Sequence, residues 1–340
     1  DNGLQTFVNS FVVNKVSFQQ MQRAFWWKML TSTQLRGHSS SLFDGRSILD
    51  ALSENKETKL LLNGQLHSLQ HLATEKDRSL TQLSRQALVE LDNLASINVT
   101  SDRLLMAVVE SRQYLAKREA LLPTLVSFRQ IVPKLTFISL GSHKQIVKNL
   151  LDENNLPFHR LSVSARKEIK GLSSFKNSQI ISAFVKARER FLNRFWQETA
   201  TYLRSSIFPF AKVEIGGRVY ATTTLFANKR INKFKHLDVL AQTTIQELVS
   251  AGIATATLQT AFENEKAKHI SKWKTIQVYL YHNYYGFAIP QVKNGKTYRT
   301  DQLFANKQFA NWEQLSLLAK HQLQLIVTDN VDLVAIFEKL

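Results

Sequence analysis

Eight basic residues between positions 186 and 235 are the densest set of side chains in this sequence with an evident chemistry. Lys186, Arg190 and Arg194 recur every fourth residue, which on a helix sets them on one face about 6 Å apart along the axis. Arg218, Lys229, Arg230, Lys233 and Lys235 follow. Cations repeated in this way bind phosphates, and phosphate contacts of this kind are independent of base sequence. Other combinations of chemical side chains are weaker. His67, His71 and Glu75 fall at i, i+4 and i+8, a face that spreads over about 12 Å of helix, too far for one metal ion to bridge. Asp152–Glu153 and the Glu263/Glu265 pair have no acid–base partner nearby in sequence and read as a helix terminus and a solvated helix face. Tyr220 and Tyr298 each follow a basic residue, Arg218 and Lys296, by two positions. Two readings stay open for them: a ring packed on a sheet beneath a snorkelling cation, or a pair that stacks a base and holds a phosphate.

What the sequence lacks narrows its function. There is no cysteine, so disulfide scaffolds, thiolate zinc sites and cysteine nucleophiles are excluded. No phosphate-loop, nucleophile-elbow, zincin or dinucleotide-binding motif is present; LGSHKQ at 140–145 lacks the first glycine and the length of a phosphate loop. The expectation is a protein with no catalytic residues, no metal and no cofactor. No run of 18 apolar residues occurs, so no membrane segment is expected, and a cytoplasmic location follows as the matching expectation.

The charge is uneven. The 340 residues carry 44 Lys+Arg against 27 Asp+Glu, a formal +17. Residues 1–150 contribute +6, residues 151–236 contribute +10 and the remainder +1. More than half of the excess thus lies in a quarter of the chain, a field that attracts polyanions. DNA or RNA is the expected partner, with protein partners reached through a helical arm.

Periodicity supplies the elements that must position these groups. Residues 17–30 read as an amphipathic helix capped by Ser17, with Phe18, Met21, Phe25 and Met29 in one stripe. Residues 46–96, nearly free of Gly and Pro, read as one long helix or two, an antiparallel arm. Further helices are expected at 102–121 and 124–132. LTFISL (135–140) and PFHRLSVS (157–164) read as strands around a helix, a βαβ unit with parallel pairing. Residues 178–205 read as an amphipathic helix with Phe184, Phe195 and Trp196 inward, which turns Lys186, Arg190 and Arg194 outward.

The C-terminal third is duplicated. GRVYATTTLFANKR (217–230) and GKTYRTDQLFANKQ (295–308) share eight of 14 residues at an offset of 78. Gly216–Gly217 and Asn294–Gly295 are hairpin turn pairs. Each copy therefore reads as a β-hairpin, an LFANK segment and an amphipathic helix.

The order AFWWKML (24–30), LFDG (42–45), long arm, AKREALLP (116–123), PKLTFISLGSHKQIV (133–147) and LPFHRLSVSARK (156–167) resembles part of the large superfamily 1 DNA/RNA helicases. The likeness covers residues 17–185 and concerns a helical insertion and the adjoining segment of the first motor domain. Where those helicases carry a magnesium-binding Asp and a catalytic Glu, this chain has Ser164 and Ala165, so the resemblance implies a scaffold without ATP hydrolysis.

These readings give a predominantly helical α+β chain in three regions: a helical region with a long arm at 1–132, a small α/β unit plus the basic helix at 133–209, and two hairpin–helix repeats at 210–286 and 287–340. The corresponding function is a non-catalytic nucleic-acid-binding subunit or accessory region of a DNA/RNA-processing machine. The alternatives are a protein–protein assembly module whose repeats bind partner subunits, and a transferase built on the βαβ unit.

Overall fold

An Asn–Gly turn opens the first of four copies of one motif. The computed structural model describes residues 15–32, 46–54, 58–282 and 291–339. After two helices, α1 (Lys15–Thr31) and α2 (Ile48–Glu54), strands β1 (Lys59–Leu62) and β2 (Gln65–Ser68) pair antiparallel. Asn63 and Gly64 join them with φ of 49° and 81°, the doubly left-handed turn whose twist matches that of a hairpin. A short helix α3 (Gln70–Thr74), a 3₁₀ turn (Leu80–Gln82), a middle helix α4 (Arg85–Ser96) and a long helix α5 (Ser101–Ile131) complete the module.

The same order then repeats. The second module comprises β3 (Phe137–Leu140), β4 (His143–Ile146), α6 (Lys148–Asp152), a 3₁₀ turn at Phe158–Arg160, α7 (Val163–Ser173) and α8 (Asn177–Arg204). The third comprises β5 (Lys212–Ile215), β6 (Arg218–Ala221), α9 (Thr223–Asn228), a 3₁₀ turn at Phe234–His236, α10 (Val239–Ser250) and α11 (Thr255–His282). The fourth comprises β7 (Gln291–Lys293), β8 (Lys296–Tyr298), α12 (Asp301–Ala305), a 3₁₀ turn at Trp312–Gln314, α13 (Leu317–Thr328) and α14 (Leu333–Phe337). The chain is thus α+β and mainly helical, and among the described residues every sheet is a two-stranded antiparallel hairpin.

Shared hydrogen bonds explain why four different sequences adopt one motif. Ser84, Ser162, Asp238 and Ser316 cap the four middle helices, each accepting from the backbone N–H of an alanine three residues on. Those alanines, Ala87, Ala165, Ala241 and Ala319, are fully buried. The backbone N–H of each cap is itself held by a side chain from the end of the short helix. Glu75 and Glu153 accept it at 2.8 and 2.7 Å, and Asn228 and Asn306 at 3.3 and 2.9 Å. The short helices are capped in return. Glu90 accepts from the N–H groups of His71 and Leu72, Glu168 from Asn149 and Leu150, and Gln322 from Gln302 and Leu303. Buried Glu90 and Glu168 are therefore accounted for by unsatisfied helix termini.

Two compact units result, 1–188 and 189–340, with the division inside α8. In the first, Trp26, Trp27 and Leu30 of α1 pack with Leu60, Leu62, Leu91, Leu94 and Leu104. In the second, Phe195, Trp196 and Leu203 of α8 join Phe262, Trp273 and Ile276 of α11 and the apolar faces of the third and fourth modules.

Several sequence expectations are corrected. The helical arm over 46–96 is interrupted by the β1–β2 hairpin, because Asn63–Gly64 takes the turn conformation between strands. The βαβ unit is absent: residues 137–140 and 143–146 pair antiparallel across Gly141, φ 62°, and 157–164 is a 3₁₀ turn followed by the cap of α7. Ser164 and Ala165 lie in the first turn of α7, not at a strand end. The helices expected at 102–121 and 124–132 are one, α5, running through an outward-facing Pro123. Helix α1 begins before Ser17, and Phe18, Met21 and Phe25 of its expected apolar stripe are exposed while Trp26, Trp27 and Leu30 are buried. LFDG (42–45) lies outside the described residues.

Candidate nucleic-acid interface

Helix α8 holds the loop between α9 and α10 by its backbone. The indole Nε1 of Trp196 donates to Ile231 O at 2.8 Å, and Asn193 Oδ1 accepts from Phe234 N at 2.7 Å. Arg204 donates through Nε to Lys229 O at 2.5 Å and through Nη2 to Asn232 Oδ1 at 3.0 Å. Phe234 is buried in the core. With the main chain and the apolar side chain fixed in this way, Arg230, Lys233 and Lys235 point to solvent and Lys229 is half-buried.

Arg190 and Arg194 extend this surface. They are exposed on α8 and flank Asn193, the residue that anchors Phe234. The structure thus brings together Arg190, Arg194, Lys229, Arg230, Lys233 and Lys235 within the second compact unit. Arg194 is engaged: its Nε donates to Glu198 Oε1 at 2.8 Å. The Arg194 guanidinium and the Thr255 hydroxyl hold the Glu198 carboxyl below its ordinary range. Among the described residues, Arg190, Arg230, Lys233 and Lys235 make no ion pair. Lys186 is also exposed on α8 but belongs to the first compact unit. Arg218 lies beside the β5–β6 turn, on a hairpin that packs against α11, where Lys268 approaches Glu214 at 3.7 Å.

Equivalent loops in the other modules carry no such charge. Between Asn228 and Leu237 there are four cations and no acid; between Asn306 and Leu315 there are one lysine and one glutamate. The corresponding first-module segment, 76–82, holds Lys76, Asp77 and Arg78, with Lys76 paired to Asp50 and Arg78 to Glu75. The second, 154–160, holds only Arg160. The anchoring persists without the charge: Trp273 Nε1 donates to Phe309 O at 3.0 Å, and Arg118 Nη2 to Asn154 O and Leu156 O at 2.9 and 2.5 Å.

The tyrosines behave as packing residues. Tyr220 and Tyr298 are 3% and 4% exposed, with Arg218 and Lys296 lying 5.4 and 5.6 Å from the ring centroids. Tyr298 Oη also donates to Asp329 Oδ2 at 2.7 Å. The stacking alternative fails because no ring face is free. His67, His71 and Glu75 do not share a helix: His67 is on β2, His71 hydrogen-bonds Glu90 at 3.0 Å and Glu75 holds the cap of α4.

Two features lay outside the sequence reading. A cavity of about 320 Å³ is lined by Tyr202, Phe208, Phe210, Lys266, Trp312 and Lys320. Its polar groups are engaged with one another or with their rim: Tyr202 donates to Glu263 at 2.5 Å, Lys266 pairs with Glu313 at 3.1 Å and Lys320 donates to Glu313 O. Exposed apolar pairs also begin two middle helices, Val239–Leu240 on α10 and Leu317–Leu318 on α13.

Compared with protein-family models, with curated proteins and with solved structures, the chain matches none. The helicase resemblance accordingly rests on the order of the sequence segments alone.

Proposed function

We propose that this chain is a non-catalytic nucleic-acid-binding protein, and that the surface built by α8 and the 229–235 loop contacts the phosphate backbone. One observation carries the reading. Four modules share the 3₁₀ turn and the cap hydrogen bonds that close the loop, and one of the four fills that loop with unpaired cations. The scaffold does not require them, since three copies fold without them, and clustered like charges raise the free energy of the folded chain unless an anion is present. The exposed apolar pairs on α10 and α13 occur with and without the cations, so they do not explain the charge.

Binding of this kind releases counterions, so affinity falls linearly on a logarithmic salt scale, by about 0.9 per phosphate contact on duplex DNA. Lys233→Gln together with Lys235→Gln is expected to leave the circular dichroism spectrum unchanged and to lower that slope by about two, for any base sequence alike. An unchanged slope and affinity would transfer the reading to a protein-assembly role.

A further inference from the structure

We infer that the ligand of this cationic surface is a double helix rather than a single strand; the inference rests on the nucleic-acid reading above. Proteins that hold single strands combine a positive groove with exposed aromatic rings on which bases stack, each base contributing about 1–3 kcal/mol. Among the described residues, no Phe, Tyr or Trp ring is exposed beside these cations. Tyr220, Phe226 and Phe234 are buried, and Phe191 and Tyr202 are half-buried against the core. Among the described residues of the second compact unit, the exposed large aromatic side chain is Tyr281, in the last turn of α11 and edge-on to His282.

The cations themselves are held on rigid supports. Arg190 and Arg194 stand one turn apart on α8, and the loop backbone is fixed by Trp196, Asn193 and Arg204. A preset array of charges suits a stiff polyanion with fixed phosphate spacing; duplex DNA keeps its direction over about 50 nm. A flexible strand would have to be ordered on this surface without stacking to offset the entropy lost. The recognition implied is of backbone shape, not of bases, and covers duplex DNA and duplex RNA alike.

The test measures anisotropy of labelled 20-nucleotide single strands, the DNA duplex they form and the matching RNA duplex, over a salt series, with heparin as competitor. The expected result is at least about tenfold tighter binding to one or both duplexes than to either strand, with a steeper salt slope, about 0.9 against 0.7 per contact. Equal or tighter binding to single strands would overturn the duplex inference and leave the nucleic-acid reading standing. Heparin competing as well as duplex, mole for mole of charge, would also overturn it, since a generic polyanion would suffice. Binding to none of the nucleic acids would instead remove the reading on which the inference rests.

Discussion

His269 is fully buried on α11, between the rings of Phe210 and Trp312 at 4.9 and 5.3 Å. Its Nδ1 lies 2.7 Å from the carbonyl of Glu265 and donates to it, and its Nε2 meets no partner among the described residues. Burial lowers its pKa from the ordinary 6.5, outweighing the nearby Glu265. A lowered folded value means that the unfolded chain takes up the proton first as pH falls. The associated stability is therefore complete above pH 6.5 and is lost progressively below it. Urea unfolding midpoints should fall between pH 7 and pH 5 in the native chain, and His269→Phe should flatten that part of the profile. A profile that His269→Phe leaves unaltered would assign the acid sensitivity elsewhere. Arg118 and Arg166 are the opposite case, buried cations that serve the backbone: Arg166 donates to Lys59 O and Phe158 O at 2.8 and 3.0 Å. Neither was legible in the sequence, where a buried arginine looks like any solvated one. The outward cations of α8 were legible, because Phe184, Phe195 and Trp196 fix the helix orientation by their need for burial. Arg194's partner, Glu198, stands four residues away on the same helix face, a spacing that pairs the two.

Each middle helix starts from a cap whose own N–H is held by the preceding short helix. Glutamate does this nine residues ahead in the first two modules, and the shorter asparagine does it ten residues ahead in the last two. Side-chain reach and loop length compensate. Glu153→Ala and Asn306→Ala should each leave a part-buried N–H without its acceptor and cost about 1 kcal/mol, read as a drop in the urea midpoint. A negligible change in both would mean that water replaces the acceptor without penalty. The same element shows why half of the repeat is hard to see in the sequence. Leu-Ser-x-x-Ala occurs at 83–87, 161–165 and 315–319, with Leu-Asp-x-x-Ala at 237–241. Five positions with three fixed are easily lost beside the eight identities of the C-terminal pair. The Asn63–Gly64 turn does not stand out in the sequence because its flanking leucines, LLLNGQL, suit a helix equally well. The hairpins at 212–221 and 291–298 were legible because Gly–Gly and Asn–Gly sit between alternating residues.

At the scale of the whole molecule, total charge and its placement make different predictions. Replacing residues 229–236 by the sequence of 307–314 removes four positive charges from +17 and keeps an aromatic residue for the core, Trp in place of Phe234. Replacing Lys167, Lys170, Lys274 and Lys339 by Gln removes the same four charges from other exposed positions. Both chains carry +13. If placement decides, the first should bind duplex DNA about tenfold or more weakly and the second should stay close to the native chain. Equal weakening in a mobility-shift assay would show that the chain attracts polyanions only by its net charge.

Helix α5 carries one further implication. Leu104, Ala107 and Val108 belong to the core of the first module, whereas Lys117 and Arg118 bond to Phe175, Asn177, Asn154 and Leu156 of the second. One rod thus engages two sets of neighbours through two faces, and the number of residues between those faces sets their angular phase. Adding a single residue between Ser111 and Lys117 would advance one face by about 100° and 1.5 Å relative to the other. Substitutions along that stretch are tolerated according to side chain, but its length is a counted quantity: the helix works as an indexing shaft, and natural variation there should come as exchanges and not as insertions or losses.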